Sequence, residues 1–367
     1  MQRKTLLVPF LGASLAAALA ACGSDSKASQ TTTPVAEAPA TPPAAEPTPP
    51  PAEPVKPPEP PAPTYLPGKF VWFELRSTDV EKSKAFYGQL LGWQIDTQEM
   101  SGAKFEMVKV GEKGVAIISA AEGKAKSHWV PFVSVNDVDA TAKTVEEQKG
   151  KVVTPAADIP SIGRYAIVAD PNGAEFALFK GANGDEADPT MPAAGTFVWN
   201  EYLTKNKKQH AAALAFYPAA IGFTAQQMPM GEGKKKMNYD MLMASNPGGQ
   251  VVPRGGVAAA KPASLGGQWL PWVMVDDVDA VLANVKTLKG KVLVKPHDIP
   301  MVGRAAIVAD GAGAPLGLIK PAMQAQPAAQ PGADPAAQPG AAPADPAAQP
   351  PAAQPPAAQP ESGAKKN

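Results

Sequence analysis

From Val71 to Leu75 the side chains keep the two-residue rhythm of a strand: Val71, Phe73 and Leu75 point one way, Trp72 and Glu74 the other. The rhythm breaks at Thr78-Asp79, a pair suited to capping. It resumes with helical spacing at Val80, Ser83, Phe86 and Leu90 and stops at Gly92. The succession returns at Val133–Val135, with Asp137 as cap, Val138, Ala142 and Val145 as the stripe and Gly150 as the stop. Its clearest form is Val278, Val281, Leu282, Val285 and Leu288, ended by Gly290 before a strand at Lys291–Val294. Ala166–Ala169, the turn Asp170-Pro171-Asn172-Gly173 and Ala174–Phe179 then read as a hairpin. The unit is a strand, a helix and three strands, βαβββ, and the chain writes it four times.

The units come in two longer copies. DIPSIGRYAIVADPNGAEFALFK (158–180) returns as DIPMVGRAAIVADGAGAPLGLIK (298–320), and HWVPFVSVNDVDA (128–140) as QWLPWVMVDDVDA (268–280), both at an offset of 140. Upstream, FVWFEL (70–75) matches FVWNEY (197–202) at 127, and AFY (85–87) recurs at 215–217, an offset of 130. Two domains follow, 67–184 and 195–321, each holding two modules and each of ordinary domain size.

Composition changes sharply outside them. The flanks 22–66 and 322–367 are rich in Ala, Pro, Gln and Thr and nearly free of large apolar residues. They cannot bury enough surface to offset the entropy of ordering, so disordered spacers are expected there. The loose PAAQP repeat of the second reads as length and stiffness. The chain balances 34 basic against 34 acidic residues, which implies no nucleic-acid partner.

The N-terminus carries more. MQRK is followed by LLVPFLGASLAAALA, an apolar run too short to span a bilayer comfortably, and then by Leu19-Ala20-Ala21-Cys22-Gly23. This resembles a bacterial lipoprotein signal peptide over 1–21, with Cys22 as the lipidated residue. The resemblance implies a cell-envelope protein held by a lipid anchor, on the outer membrane facing the periplasm if the cell has two membranes. Cys22 is the one cysteine, so no intramolecular disulfide supports the fold.

W-x-E-L at 72–75, AFY, LGW at 91–93, HW-x-P-F at 128–132, NDVDA, DIP-x-x-GR and ADPNGAEFALFK together resemble the vicinal oxygen chelate superfamily, which includes glyoxalases, bleomycin-resistance proteins and extradiol dioxygenases. The resemblance spans the two copies and neither tail. It implies an α+β fold of two tandem domains, each a pair of βαβββ modules curled into a cup-shaped mixed sheet. It also implies a ligand held in the cup, usually over a divalent metal bound by His, Gln or Glu from the first and last strands of the modules.

Counted from the capping Asp, the first-strand metal slots hold Trp72 and Val130 in copy one, and Trp199 and Leu270 in copy two. The closing-strand slots hold Ala177 and Gly317. None of these can ligate, so no metal triad and no cofactor are expected. A divalent metal with unconventional ligands, Glu74 or Glu201 among them, is the alternative. The three histidines, His128, His210 and His297, read as solvent-facing or as hydrogen bonders behind a site.

Alternation puts Glu74 with Trp72, and Glu201 with Trp199, on the inner face of each cup. Phe132 and Phe179 share that face in copy one, Trp272 and Ile319 in copy two. A carboxylate among aromatics should have a raised pKa and could anchor a ligand or act as a base. The competing reading is a structural ion pair with Arg164 or Arg304. Those arginines in turn could meet an anionic ligand or form rim salt bridges to Asp158 and Asp298. Three functions are thus in view: a small-molecule binding protein without a metal, a metal-dependent lyase, isomerase or dioxygenase, and an envelope protein whose Pro-rich tails contact the cell wall.

Overall fold

The computed structural model describes residues 62–100, 103–231 and 237–322. The signal-like segment, Cys22, most of the first spacer and the C-terminal tail beyond 322 lie outside the described residues.

The first copy runs β1 (Phe70–Ser77), α1 (Val80–Leu91), β2 (Gln94–Met100), β3 (Ala103–Val110), β4 (Lys113–Ala120), β5 (His128–Ser134), α2 (Val138–Glu147), β6 (Lys151–Ile159), β7 (Gly163–Ala169) and β8 (Glu175–Gly181). The second repeats it: β9 (Phe197–Thr204), α3 (Lys207–Ile221), β10 (Thr224–Met230), β11 (Met237–Ser245), β12 (Val251–Ala259), β13 (Gln268–Met274), α4 (Val278–Val285), β14 (Lys291–Ile299), β15 (Gly303–Ala309) and β16 (Pro315–Pro321). Each copy makes one eight-stranded mixed sheet, ordered β2-β3-β4-β1-β5-β8-β7-β6 and β10-β11-β12-β9-β13-β16-β15-β14. The first strands of the two modules, β1 and β5, meet antiparallel at the centre, each with its own module's last strand parallel on its outer side.

Asp79, Asp137 and Asp277 cap their helices, each side chain accepting the backbone N–H three residues on. Gly92 ends α1 in the left-handed region, at φ 68°. Gly150 and Gly290 do not play that part. Lys149 and Lys289 take the left-handed turn instead, and a Cβ on Gly290 would lie 2.3 Å from the Phe86 ring. These two glycines mark close approaches rather than caps.

The two sheets share their cores back to back. Phe73 of β1 stacks on Phe197 of β9 at 3.9 Å between centroids, and the Trp93 indole donates to the Gly195 carbonyl at 2.8 Å. The buried face of α1 (Ser83, Phe86, Tyr87, Leu90) joins Val278, Val285, Val308 and Leu316 of the fourth module in one cluster. Val138, Ala142 and Val145 of α2 join Ala213, Phe216 and Tyr217 of α3 in another. Both junctions are clasped by the aspartate of the repeated hairpin turn. Ser83 donates to Asp310 at 2.5 Å, and Tyr217 to Asp170 at 3.2 Å, while each aspartate also accepts the backbone N–H groups of its own turn. The repeated phrase therefore does structural duty between copies, and the concave faces are left turned away from the shared core.

One expectation of alternation changes. A bulge between Phe70 and Trp72 sends Phe70 to the back core and Val71 to the concave side with Trp72.

Candidate functional site

The concave face of the first sheet is built by alternation on four strands. β1 presents Trp72, Glu74 and Arg76, and β5 opposes them in register with Phe132, Val130 and His128. β8 adds Glu175, Ala177 and Phe179 beside β5, and β7 adds Tyr165. Trp72, Phe132, Tyr165 and Phe179 form apolar walls with Val130 and Ile167 at the bottom.

Across one end of this cup runs a chain of polar groups. Ser119 of β4 donates to Glu74 Oε1 at 2.6 Å, and Arg76 Nε lies 3.4 Å from Glu74 Oε2. A terminal Arg76 nitrogen donates to Glu175 Oε2 at 2.7 Å, and His128 Nε2 is 3.4 Å from the same oxygen. His128 Nδ1 donates to the Lys126 carbonyl at 2.8 Å. Both imidazole nitrogens thus face acceptors, which is the arrangement of a protonated ring. Burial opposes that charge, but Glu175 and the Lys126 carbonyl outweigh it and hold the His128 pKa above its ordinary value. Glu175 is held below the usual carboxylate range, first by His128 and then, against its burial, by Arg76. Burial, with the Glu74 charge behind it, pushes the Tyr165 hydroxyl up.

The metal that the fold family implies does not fit these residues. Trp72, Val130 and Ala177 offer no donor at the slots. His128 and Glu175 lie one pleat away, and the Arg76 guanidinium already lies against the Glu175 oxygen that His128 also faces. Among the described residues no three His, Cys, Asp or Glu gather as ligands would.

In the second sheet the equivalents of Arg76, His128, Ser119 and Glu175 are Leu203, Gln268, Ala258 and Pro315, all without charge. Glu201 keeps the place of Glu74, and burial pushes its carboxyl up. The face is filled by aromatics. Trp272 lies against Gly317, where a Cβ would sit 2.3 Å from the indole, and the Tyr239 hydroxyl lies over Gly256, where a Cβ would sit 1.9 Å away. The Trp199 indole donates to that hydroxyl at 3.0 Å. Copy one has Ile117 and Ala177 at the two glycine positions.

The nine residues singled out from the sequence divide accordingly. Trp72, Glu74, Phe132 and Phe179 come together in cup one, and Trp199, Glu201 and Trp272 in cup two. Arg164 and Arg304 join neither. Arg164 forks onto Asp139 at 2.6 and 2.8 Å and reaches Asp158 at 3.0 Å, and Arg304 does the same with Asp279 and Asp298. Glu74 is therefore paired with Arg76 and Ser119, not with Arg164, whose guanidinium is drawn to the first turn of α2. His210 faces Asp240 at 2.8 Å, and His297 bonds the Lys295 carbonyl, both away from the cups. Arg76 and Glu175 were not among the candidates, although alternation places Arg76 two residues from Glu74 and Glu175 on the same face of its strand as Phe179. Two shallow recesses lie elsewhere, of about 380 Å³ beside Asp298 and Pro321 and about 340 Å³ at the start of α3. Neither gathers aromatic walls and charged groups on one face as the first cup does.

Paired βαβββ modules closing into two cup-shaped sheets define the class of protein. The chain belongs to the Glyoxalase/Bleomycin resistance protein/Dioxygenase superfamily, whose family model matches residues 69–178. It is similar to "Putative glyoxylase CFP32" of Mycobacterium tuberculosis, 34% identical over 267 residues that cover 71% of this chain and 97% of that protein. It is also similar to "Anthracycline biosynthesis protein DnrV" of Streptomyces peucetius, 29% identical over 70% of this chain and 94% of that one. Among solved structures, the Mn(II)-bound glyoxalase from Novosphingobium aromaticivorans matches at a TM-score of 0.48 and 14% identity, over 70% of this chain and 82% of that one.

Proposed function

We propose that this protein is an exported, lipid-anchored member of the superfamily that binds a small molecule in its first cup without a metal. The observation that supports the reading is the difference between the cups. The first keeps aromatic walls and a partly solvated polar chain, with Glu74, Arg76, His128 and Glu175 side chains 12–24% exposed. The second fills the same space with Trp272 and Tyr239. Apolar walls around a few convergent polar groups are what small-molecule sites are made of. The anchor and the envelope location rest on the N-terminal sequence, with the membrane reached through lipid at Cys22.

Native mass spectrometry of the full-length protein, purified gently from its own cells, tests the reading. A small molecule should accompany the wild type and the Trp199→Ala variant and be lost from Trp72→Ala. Elemental analysis of the same dialysed sample should find well under one equivalent of Mn, Fe, Co, Ni or Zn. Equal retention by Trp72→Ala would remove the first cup as the site, and stoichiometric metal lost with Glu74→Ala would favour a metal-dependent reaction.

A further inference from the structure

The polar chain of cup one is balanced in charge. Arg76 and a doubly donating His128 supply two positive charges, and Glu74 and Glu175 two negative ones, linked by contacts of 2.7–3.4 Å. Arg76 and His128 converge on one oxygen of Glu175, and Ser119 holds the outer oxygen of Glu74. Three groups remain with capacity to spare, one of them the second oxygen of Glu175, which meets no donor among the described residues. Glu74 Oε2 has only the long 3.4 Å approach of Arg76 Nε, and among the described residues the second terminal nitrogen of Arg76 meets no acceptor. An acceptor and a donor therefore stand at one end of the concave face, Glu74 one pleat along β1 from Trp72 and Arg76 one pleat further.

Charge decides what such a floor accepts. An organic anion drawn to Arg76 would meet two carboxylates within the same few ångströms, and an organic cation drawn to Glu74 would meet Arg76 and His128. In a half-buried site like charges at this range are costly. An uncharged ligand meets no repulsion and can satisfy the Glu74 oxygen and the Arg76 nitrogen together. The aromatic walls favour a flat ring system, which stacks or meets their edges.

Resting on the reading that the first cup binds a small molecule, we propose that its ligand is a flat, uncharged ring system carrying an N–H or O–H beside a carbonyl, the N–H or O–H donating to Glu74 and the carbonyl accepting from Arg76. The edge of a lactam has this pattern, and so does a hydroxyl next to a ring ketone.

Calorimetric titration of the full-length protein with four bicyclic probes of matched size tests it. 2-Quinolone carries the donor and acceptor, 1-methyl-2-quinolone the acceptor alone, quinoline-2-carboxylate a negative charge and N-methylquinolinium a positive one. 2-Quinolone should bind most tightly, with about a tenfold loss on methylation, the effect of one buried hydrogen bond. Glu74→Gln leaves the floor with one excess positive charge and should bring quinoline-2-carboxylate to the front. Arg76→Gln should do the same for N-methylquinolinium. Melting curves check that each variant folds, and Glu74→Gln alone suffices if Arg76→Gln does not. If the carboxylate or the quinolinium binds the wild type best and Trp72→Ala abolishes that binding, the cup is a site but the ligand class is wrong. If no probe binds, or binding survives Trp72→Ala and Phe179→Ala, this proposal and the reading it rests on fall together.

Discussion

Arg76 on β1 donates to Glu175 on β8 at 2.7 Å, reaching over the strand β5 that separates them. The bond ties the first module to the last strand of the second across one end of the cup. Removing the cation leaves Glu74 and Glu175 with one partner fewer in a half-buried setting. Arg76→Gln should therefore lower stability by about 2–3 kcal/mol, below the range of a fully buried pair because both ends keep some contact with water. Urea unfolding of the two proteins measures it, and a loss under about 0.5 kcal/mol, the level of an exposed pair, would show that the pair is decorative.

The His128–Glu175 contact makes stability depend on pH in two directions. His128 has a folded pKa above its ordinary 6.5, so its contribution is complete below that value and fades as pH rises through the folded one. Glu175 has a folded pKa below its ordinary 4.5, so its contribution is complete above that value and fades as pH falls through the folded one. The stability difference between wild type and His128→Gln should be greatest between 4.5 and 6.5 and shrink on both sides. A difference that grows steadily above neutral pH would mean that His128 is held neutral.

Much of this architecture was legible because it is periodic. Alternation put Trp72 and Glu74 on one face, aspartates marked the helix starts, and the repeats gave four modules. Glu74 was assigned the wrong arginine for a physical reason. The sequence shows Asp158 near Arg164 across a hairpin, but only the fold brings in Asp139 of α2, which completes the fork and leaves nothing for Glu74. The pairing of α1 with the fourth module was not legible either, since an apolar stripe such as Ser83, Phe86, Tyr87 and Leu90 says that a face is buried and not against what. The filling of the second cup was not legible, because Gly317 in sequence reads as a missing ligand and in space is the room for Trp272.

The N-terminal reading has a direct test. One thiol, Cys22, would carry the whole lipid attachment, so Cys22→Ser should leave the protein soluble or with its leader uncut. Fractionation with N-terminal sequencing distinguishes the outcomes. A variant that loses the leader and still stays with the membrane would overturn the lipid anchor.

The second cup offers a packing test of the difference between copies. A methyl on Gly317 would sit 2.3 Å from the Trp272 ring, and Trp272 and its cluster neighbours Leu270, Ala305 and Ile307 are all buried, so the ring has little freedom to retreat. Gly317→Ala should cost about 1–3 kcal/mol, the usual range for overpacking a filled core. Copy one carries the compatible pair, with Ala177 in register beside Phe132. Trp272→Phe should therefore absorb most of the cost of Gly317→Ala, and the double variant should be more stable than the sum of the single changes by about 1 kcal/mol or more. Thermal and urea unfolding of the four proteins in this cycle give the coupling. Additive effects would show that the indole does not rest on the glycine, and the packing contrast between the two cups would lose its structural basis.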